Sequence, residues 1–242
     1  MLEKALKYLV GLKSNQTYII NGETYSDNKL EQITGIHHYP ATVHVESLDA
    51  IVKLIRAEYT GKTADPFKAP LFVRVEGPGS VEVFTRLDSI ACRSTPYEAI
   101  CRDVNFKEGW RGQQEAIIEL RSRFIPTDDS AYLLGLISRI NNEEGVKSED
   151  NGVSQTVTAK KGVSLMSTEQ VKSRLSLKPF RTFREVDQPE SEFILRLDDN
   201  GRIGLFEADG GIWKIEAKVN IASYLNASLA KEIESGMVVV MI

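Results

Sequence analysis

Apolar and polar positions along this chain switch repeatedly between a period of two and a period near 3.6. Over 17–25, Thr17-Tyr18-Ile19-Ile20 and Glu23-Thr24-Tyr25 flank Asn21-Gly22. That dipeptide suits a tight two-residue turn, so the pattern predicts a β-hairpin. Alternation over 41–45 predicts a strand, after which Ser47 can cap a helix whose Leu48, Ile51, Leu54 and Ile55 share one face. Strands over 71–76 and 81–84 flank Gly77-Pro78-Gly79-Ser80, and a further strand is expected over 89–93. The first twelve residues place Leu2, Leu6, Leu9 and Val10 at helical spacing with charges interleaved, which reads as an amphipathic helix rather than a signal peptide.

The middle of the chain is helical in pattern. Ile117, Leu120 and Phe124 recur three and four apart and Pro126 ends that run; Thr127 can cap the next, which carries Leu133, Leu136, Ile137 and Ile140 in one stripe. The stretch 141–152 is polar and acidic and reads as an internal linker. Beyond it, strands are expected over 153–159, 180–186, 192–197, 203–207 and 212–216. The last three are separated by Asp199-Asn200-Gly201 and Asp209-Gly210-Gly211, which predicts a β-meander. A terminal helix over 219–233 and an apolar strand or tail from Met237 complete the reading. Strands and helices are grouped rather than strictly alternating, so the expected fold class is α+β, a single domain over 1–242 with room for a lobe boundary at 142–152.

Composition narrows the function classes. The 42% hydrophobic content is that of an ordinary globular protein, and 30 Lys+Arg against 34 Asp+Glu leave a net charge of -4, with no global basic field for a polyanion. The longest apolar run, from Met237 to Ile242, is far too short to span a bilayer, so no membrane partner is expected. Cys92 and Cys101 fit neither a metal spacing nor a disulfide framework and read as reduced thiols of a cytoplasmic protein.

Candidate chemistry is sparse. Gly77-Pro78-Gly79 lacks the third glycine and the Gly-Lys-Ser/Thr of a phosphate loop and reads as a hairpin turn. His37-His38 would point to opposite faces of an extended chain, His44 has no nucleophile motif beside it, and the loop from Asp198 to Gly201 lacks the later glutamate of a calcium loop. No catalytic residue, metal site or cofactor is therefore assigned. The carboxylates Glu185, Asp187, Glu207 and Asp209 are the residues on which a divalent-metal enzyme would have to rest, if folding brought them together.

One segment departs from the average. Over 160–184, Lys160, Lys161, Lys172, Arg174, Lys178, Arg181 and Arg184 face Glu169 alone. Such segregation suits either a phosphate-binding track for DNA or RNA, with Phe180 or Phe183 offering a stacking surface, or a subunit contact with acidic segments of a neighbour. A second contact candidate is the tail Met237, Val238, Val239, Val240, Met241 and Ile242, which could add to a sheet edge of its own or a neighbouring subunit.

The block Leu177-Lys178-Pro179-Phe180-Arg181-Thr182-Phe183-Arg184-Glu185-Val186-Asp187-Gln188-Pro189-Glu190-Ser191, followed by Leu205-Phe206-Glu207-Ala208-Asp209-Gly210-Gly211-Ile212-Trp213, resembles the YfdQ-like family of tailed phages and prophages. The likeness extends more loosely from the strand and helix over 43–59 to the final helix. It implies a small cytoplasmic phage protein of unsettled biochemical role and brings no catalytic residues. Within that block Arg181, Arg184, Gln188 and Glu190 are expected to be exposed and to make contacts. The reading that joins these observations is a non-enzymatic accessory protein that assembles as a homo-oligomer, with nucleic-acid binding as the alternative.

Overall fold

A computed structural model describes residues 3–4, 16–26, 40–60, 70–88, 91–102, 106–140, 145–150, 155–161, 164–198 and 200–242. Most of the N-terminal helix reading, the whole of His37-His38 and Asp199 lie outside these residues. By its contacts the chain divides into two compact units, Met1–Pro40 and Ala41–Ile242, a division that the sequence pattern does not suggest.

In the first unit β1 (Thr17–Ile20) and β2 (Glu23–Ser26) pair antiparallel, with Ile20 opposite Glu23. Asn21 and Gly22 both have positive φ, 55° and 86°, the twist that a two-residue hairpin needs.

The second unit is α+β and contains two five-stranded sheets. One has the order β15-β4-β5-β6-β3, built from β3 (Val43–Val45), β4 (Leu71–Gly77), β5 (Ser80–Phe84), β6 (Tyr97–Ile100) and β15 (Val238–Met241). Helix α1 (Leu48–Thr60) and helix α4 (Ile212–Ser228) supply the apolar stripes that cover it: Leu48, Ile51 and Ile55 meet Val73, Val83, Ile221 and Leu225 in one buried cluster. Ser47 caps α1 as expected, its Oγ accepting the Ala50 N–H at 3.2 Å. The Gly77–Ser80 reversal joins β4 to β5, so the Gly-Pro-Gly stretch is a hairpin turn.

The other sheet has the order β7-β14-β13-β12-β8: β7 (Gly109–Arg111), β8 (Phe124–Ile125), β12 (Arg174–Pro179), β13 (Ser191–Leu197) and β14 (Ile203–Glu207). Its inner face packs on α2 (Gln113–Arg123) and α3 (Asp128–Ile140) through Leu120, Leu133, Ile137, Leu175, Phe193 and Leu205. Thr127 and Ser130 cap α3 reciprocally, each hydroxyl accepting the other's backbone N–H. Strands β9 (Gly145–Asp150), β10 (Gln155–Lys161) and β11 (Ser164–Val171) form a separate three-stranded sheet, and a short α5 (Ala230–Glu234) precedes β15.

Four expectations change. The meander exists but is shifted by one strand: it runs β12-β13-β14, and 212–216 is the start of α4. The segment 180–186 is a loop rather than a strand. Residues 91–93 form no strand; Asp88 turns the chain by accepting the Cys92 N–H. The expected linker over 141–152 contains β9, and neither buried cluster is bounded there, because the first is assembled from both ends of the unit and the second from its middle.

The tail belongs to its own sheet. β15 pairs parallel with β4, Val238 opposite Leu71 and Met241 opposite Arg74, and Val238 is buried. The Met237 carbonyl accepts both the Leu71 N–H at 2.9 Å and the Tyr59 hydroxyl at 2.8 Å. Val238→Ala should therefore cost about 2 kcal/mol in urea unfolding. Deleting 237–242 should lower the midpoint further; a deletion that leaves it unchanged would mean that the strand adds nothing to the fold.

Candidate functional site

The block from Lys178 to Ser191 forms the junction between the two clusters. Arg181, Thr182 and Phe183 are buried although they lie in a loop, so their backbone groups need partners from outside the sheets. Gln188 supplies them. Its Oε1 accepts the N–H of Arg181 at 2.8 Å and of Thr182 at 3.1 Å, while its Nε2 donates to the carbonyls of Phe183 at 2.9 Å and Val186 at 3.2 Å. One amide thus does for this loop what a neighbouring strand would have done, which is why 180–186 leaves the sheet after Pro179.

Two adjacent odd positions then enter different cores. Phe183 is fully buried in the cluster beneath the first sheet. Arg181, 4% exposed, points toward the second: its guanidinium lies 4.1 Å from the Trp213 ring centroid and 5.7 Å from that of Phe193. Nη1 donates to Glu207 Oε1 at 2.7 Å and Nη2 to the Ser191 hydroxyl, whereas Nε is buried without a partner. Burial pushes the Arg181 pKa below its ordinary value, and the charges of Glu207, Asp209 and Glu216 oppose that shift.

The acidic residues close the same network. Glu207 Oε2 accepts the Trp213 indole N–H at 3.1 Å. Asp209 Oδ2 accepts the Ser191 hydroxyl at 2.7 Å and the Trp213 N–H at 3.2 Å, and its Oδ1 accepts the Gly211 N–H at 2.9 Å. With Gly210 and Gly211 both left-handed, at φ 64° and 84°, Asp209 starts α4 at Ile212 and excludes the strand expected over 212–216. Burial pushes the Asp209 carboxyl up, but the bonds from Ser191, Gly211 and Trp213 and the charge of Arg181 outweigh it and hold the group below the usual carboxylate range. Glu185 reaches the other helix: its Oε1 accepts the Leu48 N–H at 2.8 Å and so caps α1 from 137 residues away. Asp187 is exposed and engages Asn220 through its carbonyl.

Glu207 and Asp209 therefore converge on a cation, but that cation is Arg181. Among the described residues no group of three or more His, Cys, Asp or Glu is placed to hold a metal. An open cleft of about 480 Å³ lined by Thr127, Asp128, Asp129, Ser176 and Glu190 has two of its three carboxylates engaged as well: Asp129 accepts from the Ser176 N–H and from Lys172, and Glu190 from the Ser176 hydroxyl. His44 sits on an outer strand 3.0 Å from Glu98, and both cysteines are free thiols.

Three of the seven cations of the basic segment are ion-paired within the chain. Lys160 and Lys161 end β10, beside a register shift. Lys172 pairs with Asp129 at 3.0 Å, Arg174 with Glu192 at 2.7 Å, and Arg181 with Glu207. Arg184 is exposed above the Phe180 ring, and Lys178 is half-buried at the end of β12. Arg181 and Gln188, expected on the surface, are buried, because the loop needs them as its own internal partners; Arg184 and Glu190 are exposed. Nothing in the sequence pattern announces Trp213 as the platform for Arg181; Phe206, in the same block, has Trp110 as its T-shaped neighbour at 6.0 Å.

No family model matches the chain, and no curated protein or solved structure is similar to it. Among the described residues no helix is long and apolar enough to cross a membrane.

Removing the guanidinium while keeping its length, Arg181→Met, should cost about 3 kcal/mol or more, since Glu207 loses its buried partner. Arg184→Ala, a few residues away but exposed, should stay within about 0.5 kcal/mol; equal effects in urea unfolding would refute the junction. Because the Asp209 pKa is lowered on folding, its contribution is present above the unfolded value near 3.9 and is lost as pH falls through the folded one. Asp209→Asn should therefore flatten the loss of stability below about pH 4, and a variant with the same acid profile as the parent would contradict that assignment.

Proposed function

We propose that this chain is a YfdQ-like phage or prophage accessory protein that works in the cytoplasm of an infected or lysogenic bacterial cell, without catalysis, as a homo-oligomer. The carrying observation is on α4. Ile212, Ile215 and Val219 recur at i, i+3 and i+7 and are 65%, 66% and 45% exposed, while the opposite face of the same helix is buried through Ala217, Ile221 and Leu225. A helix that is apolar on two faces has a second surface to bury.

A second copy of the chain fits that surface. On a helical projection Lys218 lies on one side of the stripe and Glu216 and Asn220 on the other. A two-fold axis running along the helix sets the lysine flank of each protomer against the glutamate flank of the other, whereas an antiparallel pairing sets like charges together. Six aliphatic side chains would then leave water, each contributing roughly 1.5–3 kcal/mol, against an association cost of several kcal/mol. The tail enters this reading only through its outward residues Met237, Val239 and Ile242, since Val238 is committed to the core.

Sedimentation should show a dimer or larger species at micromolar concentration. Ile215→Lys should weaken it by about tenfold or more, since an unpaired charge would have to be desolvated, without changing the far-UV spectrum, because the side chain is exposed. A parent chain that is monomeric over the whole micromolar range would sink the proposal.

A further inference from the structure

A strand at the margin of a sheet has only one side of its backbone paired. In the first sheet β15 is such a strand, and among the described residues no strand pairs with its far side. Its ladder with β4 is parallel, so alternate residues turn both backbone groups toward the same neighbour. The Leu71 N–H reaches the Met237 carbonyl at 2.9 Å, which fixes the phase: Met237, Val239 and Met241 face β4, while Val238, Val240 and Ile242 turn their N–H and C=O outward. Natural sheets guard such edges with charge, proline, a bulge or brevity. The other margins of the two five-stranded sheets follow that rule. β3 is three residues long with His44 beside Glu98, β7 is three residues long and ends on Arg111, and β8 has two residues before Pro126. β15 is the longest of these margins and carries no charge: it lies in the longest apolar run of the chain, its ladder has no register shift, and Val239 and Ile242 are 40% and 62% exposed.

We infer that the far edge of β15 is a self-pairing seam, which docks antiparallel on the β15 edge of a second copy of the chain and joins the two sheets into one. The occupant follows from the chemistry of the edge. Outward N–H and C=O groups take an extended strand, and a charge laid beside Val239 or Met241 would lose water without a partner, so the strand has to be uncharged. Within this chain the strand that meets both requirements is β15 itself. A two-fold axis through Val240 makes the edge its own complement: Val240 lies opposite its symmetry mate, Val238 opposite the mate of Ile242, and Val239 opposite the mate of Met241. The last of these is a non-hydrogen-bonded pair, where side chains approach most closely. The β3 margin is a poorer mate, being shorter and carrying His44 beside Glu98, so the seam closes on two copies instead of propagating. This inference rests on the homo-oligomer proposed above for the identity of the partner alone; the α4 stripe takes no part in it.

Hydrogen exchange of the full chain, followed amide by amide by NMR, tests the seam in the parent and in Ile215→Lys, where the α4 contact is weakened. Raising the concentration through the micromolar range should slow the Val238 and Val240 amides about tenfold or more, while those of Val239 and Met241, turned toward β4, stay slow throughout. By sedimentation Ile215→Lys should still form a dimer and go no further. In that background Val239→Glu with Met241→Glu sets carboxylates directly opposite each other and should weaken the dimer about tenfold or more, whereas Val239→Lys with Met241→Glu sets opposite charges there and should retain it. The amide measurement needs no substitution on the edge, so a folding defect in these variants leaves it standing. Outward amides that exchange equally fast at every concentration, a monomeric Ile215→Lys chain, growth of that variant beyond a dimer, or equal effects of the two charge patterns in folded chains would each overturn the inference. An assembled parent with open edge amides would remove the seam and keep the α4 contact; protected edge amides in an assembly insensitive to Ile215→Lys would do the reverse.

Discussion

Gln188 holds the loop on which both halves of the larger unit depend. Without its amide, the backbone of Arg181, Thr182, Phe183 and Val186 would be buried with unpaired donors and acceptors, each costing on the order of 1–3 kcal/mol. With it, the loop can leave the edge of β12, push Phe183 into the core of the first sheet, turn Arg181 onto Trp213, and extend Glu185 to the N-terminus of α1. A dozen residues thereby tie two helices and two sheets together. The Thr182 hydroxyl, donating to the Pro78 carbonyl in the β4–β5 turn, adds one more tie of the same kind.

Arg181 shows why the junction is polar rather than another patch of core. A buried ion pair is seldom the most stable filling of such a space, because desolvation consumes most of the Coulomb attraction. What it adds is direction: the guanidinium has to meet Glu207, Ser191 and the Trp213 face together, and Asp209 must then start α4 where Trp213 can reach. The geometry fixes which end of α4 is presented, and so which of its faces carries Ile212 and Ile215 outward. Structure at the junction and the apolar surface that α4 leaves exposed are in this way one problem.

The local features of the fold were legible where the signal is local. The Asn21-Gly22 hairpin, the caps at Ser47 and Thr127 and the apolar stripes of α1 and α3 follow from residues within a few positions of one another, and the structure contains all of them. The shifted meander was not legible, because the apolar residues at 212–216 suit either a strand or the first turns of a helix that is apolar on both faces. What decides is Asp209 together with two left-handed glycines, a turn signal equally consistent with a hairpin. The loop at 180–186 was unreadable for a different reason: its partner is a glutamine side chain, and nothing in a period of two or 3.6 announces that an amide will replace a strand.

Charge behaved likewise. A run of seven cations against one anion looks like a field when counted along the chain, but folding brings Asp129, Glu192 and Glu207 from elsewhere and spends three of the seven in pairs within the same chain. Meanwhile Arg196 and Arg202, which lie outside the run and beside acidic neighbours in sequence, reach the same outer sheet face as Arg174 because strand alternation sorts them there. Electrostatic character belongs to faces, and a face of a sheet samples every second residue of strands far apart in sequence.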